Sequence, residues 1–130
     1  MAKILLVDDN EDFRYVFSAL LAYHGHVVHD AADGAIGVRM AREIDPDVIV
    51  LDLAMPVMDG EQAMTELKAH PTTSSIPIVA LTALAPLSAT LGQRPGFDAF
   101  LTKPVELRRV LEVFDGFLHD SKPAPTLLAS

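Results

Sequence analysis

The chain has 130 residues, enough for one domain with a sizeable core, and half of them are apolar, which excludes a disordered polymer. Its 10 basic residues are outnumbered by 18 acidic ones, a formal charge of −8, so there is no basic stripe to follow a phosphate backbone and direct nucleic-acid binding is not expected. No cysteine is present, which excludes a disulfide framework and thiolate chemistry, and the N-terminal sequence is neither a signal peptide nor a membrane span, so a cytoplasmic protein with no membrane partner is expected.

Ile4 to Val7 reads as a first strand that ends on Asp8 and Asp9. Asn10 or Asp9 can cap the helix that follows, with Glu11 and Asp12 in its first turn, where the helix dipole favours acids. Phe13, Val16, Phe17, Leu20 and Leu21 recur at three- and four-residue spacing and predict one apolar face lying on a sheet; Gly25 ends the helix. Val27 to Ala31 is a short second strand, more polar than the others and therefore expected at a sheet edge. Asp33-Gly34 turns the chain into a helix of about ten residues carrying Ala35, Ile36, Val38, Met40 and Ala41. Pro46 then closes the turn into Val48 to Asp52, an apolar run that reads as a strand buried on both faces.

Pro56 and Gly60 force a loop after Asp52, and Ala63, Met64 and Leu67 mark a third helix that runs out before His70. Ile76 to Thr82 is a fourth strand ending on a hydroxyl. Between Ala83 and Gly96, the residues Pro86, Gly92, Pro95 and Gly96 leave room for only about two helical turns. Phe97 to Thr102 is a fifth strand ending at Lys103-Pro104. Val105, Leu107, Val110, Leu111, Phe114 and Leu118 then give a strongly amphipathic last helix, mostly core, any exposed part of which is a docking or dimer face. Residues 120–130, with Pro123 and Pro125, read as a flexible tail or linker stub, which leaves one domain over 1–119. Five β-then-α units predict an α/β fold, a doubly wound five-stranded parallel sheet of order 2-1-3-4-5 with five helices.

That order sets the first and third strands on either side of the point where the winding reverses, which brings Asp8, Asp9 and Asp52 together, with Thr82 and Lys103 ending strands at the same edge. Carboxylates that close repel one another unless a cation joins them, and hard oxygen donors with no cysteine or neighbouring histidine suit Mg²⁺ or Mn²⁺. Asp9 and Asp52 are the expected direct ligands, with Asp8 acting through water. A carboxylate can also attack phosphorus once the charge on the phosphoryl oxygens is neutralised. Lys103 offers a positive charge for this and Thr82 a hydroxyl; Asp52, alone on the central strand, is the expected nucleophile. Taken singly, Asp8-Asp9 reads as a helix-capping pair, Lys103 as a surface lysine and Thr82 as a strand-terminal hydroxyl, and only their joint placement carries chemistry. His26 and His29, three apart on the expected second strand, would point to opposite faces, and with His24 they read as solvated histidines rather than ligands.

Val7-Asp8-Asp9-Asn10, Leu51 through Gly60, Ala80-Leu81-Thr82-Ala83 and Leu101-Thr102-Lys103-Pro104 resemble the four signature segments of the receiver domain of two-component response regulators, of the chemotaxis-regulator kind with a flavodoxin-like fold. The resemblance runs over about residues 3–119, nearly the whole chain. It implies that Asp52 is a phosphoacceptor, taking its phosphoryl group from a phosphohistidine on a sensor histidine kinase or a histidine phosphotransfer protein. It implies a metal site of Asp8, Asp9, Asp52 and the backbone carbonyl of Ala54, with Thr82 and Lys103 holding the phosphoryl oxygens. It makes Lys103-Pro104 a cis bond and gives Thr82 and Phe100 the switch: Thr82 is drawn to the phosphate, Phe100 turns into the space vacated, and the face formed by the fourth helix, fifth strand and fifth helix changes shape for a downstream protein or a second copy of the chain. The chain is then a signalling phosphoacceptor, not an enzyme beyond its own phosphorylation and dephosphorylation.

Two features depart from the family pattern. The fourth-helix region is rich in proline and glycine, and Ala54 and Leu84, at the positions that in the family steer the dephosphorylating water, are both apolar, which predicts a long-lived phosphoryl group. A flavodoxin-like cofactor binder is the rival of another class, but Asp8-Asp9-Asn10-Glu11-Asp12 would repel a bound phosphate. An aspartate-nucleophile phosphatase needs a second acid where Ala54 stands, and a partner-binding module that takes no phosphate would not need the full set of groups. No DNA-binding or catalytic output segment follows residue 120, which suits either a single-domain regulator or a piece of a longer regulator or hybrid kinase; Met1 close to the first strand suits a natural start.

Overall fold

Five short apolar segments pair side by side in a computed structural model that describes residues 2–55, 58–82 and 96–118. The elements are β1 (Lys3–Val7), α1 (Glu11–Tyr23), β2 (Val27–Ala31), α2 (Gly34–Ile44), β3 (Val48–Asp52), α3 (Gly60–Ala69), β4 (Ile78–Thr82), β5 (Ala99–Thr102) and α4 (Leu107–Leu118). All strand pairs are parallel, in the expected order β2-β1-β3-β4-β5. The described residues hold four of the five expected helices; the proline- and glycine-rich stretch from Ala83, with Leu84, lies outside them, as does the 120–130 tail.

Alternation along the strands divides the core in two. Ile4, Leu6, Val48, Val50, Val79, Leu81 and Leu101 bury on one face with Phe17 and Leu21 of α1 and Val110, Val113 and Phe114 of α4. Leu5, Val7, Ile49, Leu51 and Ile78 bury on the other with Val38 and Ala41 of α2 and Ala63 and Leu67 of α3. β3 and β4 are buried along their whole length, whereas β2 and β5 form the edges, as the polarity of Val27 to Ala31 predicted for the first of them.

Helix starts follow their side chains. The Asn10 carboxamide accepts the Phe13 N–H and Asp33 accepts the Ile36 N–H, while Asp59 and Gln62 form a reciprocal capping box. Gly25, with φ of 92°, carries the chain out of α1 in a conformation that disfavours any side chain. The added Cβ of an alanine at position 60 would fall 2.5 Å from the Asp52 carbonyl oxygen and 2.7 Å from the Leu53 Cα. Both are backbone atoms, so the β3–α3 loop must shift; Gly60→Ala is expected to cost about 1–3 kcal/mol, read as a lowered melting temperature.

Several boundaries differ from the sequence reading. β4 begins at Ile78 rather than Ile76, because Pro77 has no N–H to give the ladder and contributes only its carbonyl, which accepts the Ile49 N–H at 3.0 Å. β5 begins at Ala99 rather than Phe97: Asp98 closes the end of the sheet by accepting the Ile78 N–H on its carboxylate and giving its own N–H to the Ile78 carbonyl, both at 2.8 Å. On α1 the buried line is Phe17 and Leu21 flanked by Phe13, and Val16 and Leu20 are exposed by 55% and 39%. The helix is rotated so that Arg14 and Ser18, not Val16 and Leu20, flank the buried line. Among the described residues, the large apolar side chains left in solvent are Tyr15, Val16, Leu20, Tyr23 and Val27, on α1 and β2.

His26 precedes β2 and is half-buried, not a solvated strand residue: its Nδ1 accepts the Ala2 N–H at 3.3 Å and its ring meets Phe114 edge-on. Burial lowers its pKa below the usual histidine range, helped by the amino terminus and His24 and opposed by Asp115. His24 donates from Nδ1 to the Leu20 carbonyl at 2.9 Å.

Candidate functional site

At the C-terminal edge of the sheet, β1 and β3 each run into an aspartate held by the same local device. Asp8 Oδ1 accepts the N–H of Asn10 at 2.9 Å, and Asp52 Oδ1 accepts the N–H of Ala54 at 3.1 Å, two residues on in both cases. Such turns are a common use of a short carboxylate, and they fix each side chain at the point where the strand stops. In both, Oδ2 is left to face the same lysine. Lys103 Nζ donates to Asp8 Oδ2 at 2.8 Å and stands 3.5 Å from Asp52 Oδ2.

Lys103 reaches this point from the far side of β4. Its backbone N–H donates to the Thr82 carbonyl at 2.7 Å, and the Lys103-Pro104 bond is cis, as expected. Asp8 is fully buried, Asp52 and Thr82 are 6% and 5% exposed, and Asp9 is exposed at the rim. Carboxylate oxygens of Asp8, Asp9 and Asp52 all lie within 4.8 Å of one another. Thr82 ends β4, whose Leu81 is in register with Asp52, so its hydroxyl-bearing residue sits one step beyond on the neighbouring strand. The set expected from the sequence is thus gathered at one rim. Phe100 lies elsewhere, on the half-exposed β5, its ring 5.5 Å from that of Phe97, lining a cleft with Pro104, Val105 and Arg109.

Burial pushes the Asp52 carboxyl up from 3.8 to about 6; the charges of Asp8 and Asp9 add to this, while the Ala54 N–H and Lys103 oppose it. Burial pulls Lys103 the other way, but its hydrogen bond to Asp8 and the charges of Asp52 and Asp8 outweigh that and leave its pKa raised. Three carboxylates against one ammonium leave two formal negative charges at the rim of the sheet. An arrangement made only of oxygen donors and short of positive charge fits a hard divalent cation. Asp8, with one oxygen on Lys103 and the other on Asn10, is the carboxylate least able to offer a direct bond, which suits the expected role through water.

Residues outside the expected set also build the site. Arg14 gives one N–H to the Asp8 carbonyl at 2.8 Å and another to Asp30 at 2.9 Å, tying α1 and β2 to the end of β1. Phe13 turns its ring under Lys103, with Nζ 4.6 Å from the centroid. Nothing in the local sequence marks the Arg14–Asp30 or Lys103–Phe13 contact, since each joins segments far apart in the chain.

The profile of the response regulator receiver domain family matches residues 4–115. The chain is 38% identical to protein PilH of Pseudomonas aeruginosa over 119 residues, which cover 91% of this chain and 98% of PilH. It spans less than half of some other relatives, 46% of the transcriptional regulator RpaA of Synechocystis and 23% of the response regulator PleD of Caulobacter vibrioides. Chemotaxis protein CheY4 of Vibrio cholerae superposes with a TM-score of 0.82 at 32% identity, over 91% of this chain and 99% of that one. The receiver domain of the Pseudomonas aeruginosa sensor histidine kinase PA1611, solved with a magnesium ion in its active-site cleft, superposes with a TM-score of 0.81 at 33% identity, over 89% of this chain and 96% of that domain.

Proposed function

The chain belongs to the response regulator receiver domain family, and from that membership we propose that Asp52 is its phosphoacceptor, charged by a phosphohistidine of a sensor histidine kinase or histidine phosphotransfer protein. The observation that supports this most is the meeting of Asp8, Asp9 and Asp52 within 4.8 Å, with Lys103 bridging the first and the last. Asp52 Oδ1 is held by the Ala54 N–H, so Oδ2 attacks phosphorus. The O–P bond forms, the P–N bond to the donor imidazole breaks, and an acyl phosphate remains on Asp52. Lys103 and the Thr82 hydroxyl hold the phosphoryl oxygens.

Asp9, Asp52 and the Ala54 carbonyl would hold Mg²⁺ or Mn²⁺, with Asp8 bonding through water. When bound, such an ion neutralises charge on the transferring group and the carboxylates together. The protein acts by surface change rather than turnover, with Thr82 and Phe100 as the switch pair and the cleft beside Phe100, Val105 and Arg109 on the surface that changes. No described helix is long and apolar enough to cross a membrane, and a cytoplasmic location is part of the same proposal.

The test is incubation with acetyl phosphate and Mg²⁺ followed by intact mass. One phosphoryl group is expected, and chelation of the metal should abolish the gain; a gain that survives chelation, or none at all, overturns the reading. Because residues 54 and 84 are apolar in the sequence, an Ala54→Asn, Leu84→Glu double variant should lose its phosphoryl group several-fold faster than the native chain. Decay of the phosphorylated mass with time measures this.

A further inference from the structure

We propose that Phe13 is a positioning residue for phosphoryl transfer, its ring face holding the Lys103 ammonium over the reaction centre. The inference rests on the phosphoacceptor reading of Asp52. Lys103 Nζ lies 4.6 Å from the Phe13 centroid, inside the range at which a ring quadrupole attracts a cation. On its other side the same nitrogen meets Asp8 at 2.8 Å and Asp52 at 3.5 Å. The lysine is therefore held between two anions and an aromatic face.

The three partners differ in what the reaction does to them. Asp8 and Asp52 both belong to the cluster that fits a divalent cation, and Asp52 itself becomes an acyl phosphate. Their pull on the ammonium weakens as a cation or a phosphoryl group arrives. The ring carries no charge that either can neutralise, so its attraction persists through the reaction. A lysine stem has four rotatable bonds and heavy rotamer entropy, and with its side chain 24% exposed it has solvent to swing into. The ring opposes that escape.

Phe13 is itself fixed. Its N–H is bound by the Asn10 carboxamide at 2.9 Å, the cap that starts α1. Its ring stacks on Phe17, centroids 5.0 Å apart and planes at 18°, and Phe17 is buried in the core. The cap, the aromatic stack and the ammonium form one continuous set of contacts from the hydrophobic core to the phosphoryl site.

The experiment measures the rate of phosphoryl gain from acetyl phosphate at saturating Mg²⁺ in the full chain. Phe13→Leu, which keeps apolar bulk and removes the ring, is expected to slow it by about three- to tenfold, and Phe13→Trp, the better cation binder, to keep or raise it. Pentafluorophenylalanine at position 13, close in shape but with the ring quadrupole reversed, should slow it as the leucine does, while a merely structural role predicts no change there. Equal rates in native, leucine and fluorinated chains, or equal losses in leucine and tryptophan variants, overturn the inference. The ε-methylene protons of Lys103 supply a readout free of phosphate: ring current shifts them upfield in the native chain and Phe13→Leu releases them. A native chain that takes no phosphate defeats the phosphoacceptor reading, whereas unshifted methylene protons defeat this one.

Discussion

Asp52→Asn is expected to abolish the phosphoryl gain from acetyl phosphate and, in the same molecule, to raise the stability of the metal-free protein at neutral pH. The first effect follows because the amide has no anionic oxygen to attack phosphorus. The second follows from the cluster's shortage of positive charge. Burial and the neighbouring Asp8 and Asp9 move the Asp52 carboxyl from 3.8 to about 6, so the folded state holds its proton more tightly than the unfolded chain does. The stabilising contribution of that proton is complete below about 3.8 and is lost as pH rises through about 6. At pH 7 the charged carboxylate is therefore a liability that asparagine removes. The full displacement corresponds to ~3 kcal/mol, and solvent at the cleft mouth screens this to about 1–2 kcal/mol.

Chemical denaturation of both chains in the presence of a chelator, from pH 4 to pH 7.5, checks the prediction. The native chain should fall relative to Asp52→Asn across that window, and the two should converge at its acid end. His26, whose lowered pKa contributes stability that is lost as pH falls below its usual range, acts identically in both chains and drops out of the difference. Added Mg²⁺ should stabilise the native chain more than the variant. A native chain at least as stable as the variant at pH 7 without metal would contradict the geometry of three carboxylates served by one lysine.

Lys103→Met should have the opposite effect on stability. Asp8 has no exposed surface, and the Lys103 ammonium, 2.8 Å away, is the cation paired with its Oδ2. Methionine keeps much of the stem's bulk and removes the charge, which leaves a buried carboxylate beside two others. A loss of about 3 kcal/mol is expected in chelator, the usual scale for stranding one member of a buried ion pair. Mg²⁺ should restore much of it, because a divalent cation supplies the missing charge at the same cluster. Phosphoryl gain should fall about a hundredfold even in Mg²⁺, since the positive charge aimed at the transferring oxygens is gone. Lys103→Arg should not rescue the rate, as a planar fork cannot occupy the point between Asp8 Oδ2 and Asp52 Oδ2 that an ammonium fills. A variant that keeps both stability and rate would remove Lys103 from the site.

Much of the architecture is written locally. Apolar runs of strand length closed by Asp8-Asp9, Asp52, Thr82 and Lys103 announce a parallel sheet whose polar residues share one edge, and Asn10, Asp33 and Asp59 mark helix starts through their own short side chains. Boundaries were less legible where a distant partner decides them. Ile76 and Pro77 look like strand residues, but the ladder opens at Ile78 opposite Ile49. Val16 and Leu20 satisfy helical spacing as well as Phe17 and Leu21 do, yet α1 turns them outward, because a period alone leaves the helix free to rotate by one flank and the sheet beneath chooses.

The sequence by itself determined which groups could meet: two acids after β1, one at the end of β3, a hydroxyl at the end of β4 and a lysine after β5, each fixed by where its strand must stop. Tertiary structure alone decided how they meet. That Asp8 is buried and Asp9 exposed, that Lys103 spans Asp8 and Asp52 rather than reaching into water, and that Phe13 lies beneath it are matters of ångströms between segments up to 95 residues apart. The physical reason is that hydrogen-bonded turns act over two or three residues and are encoded next to themselves. Charge and ring contacts act across space, and only the packing of α1 and β5 against the central strands sets those distances.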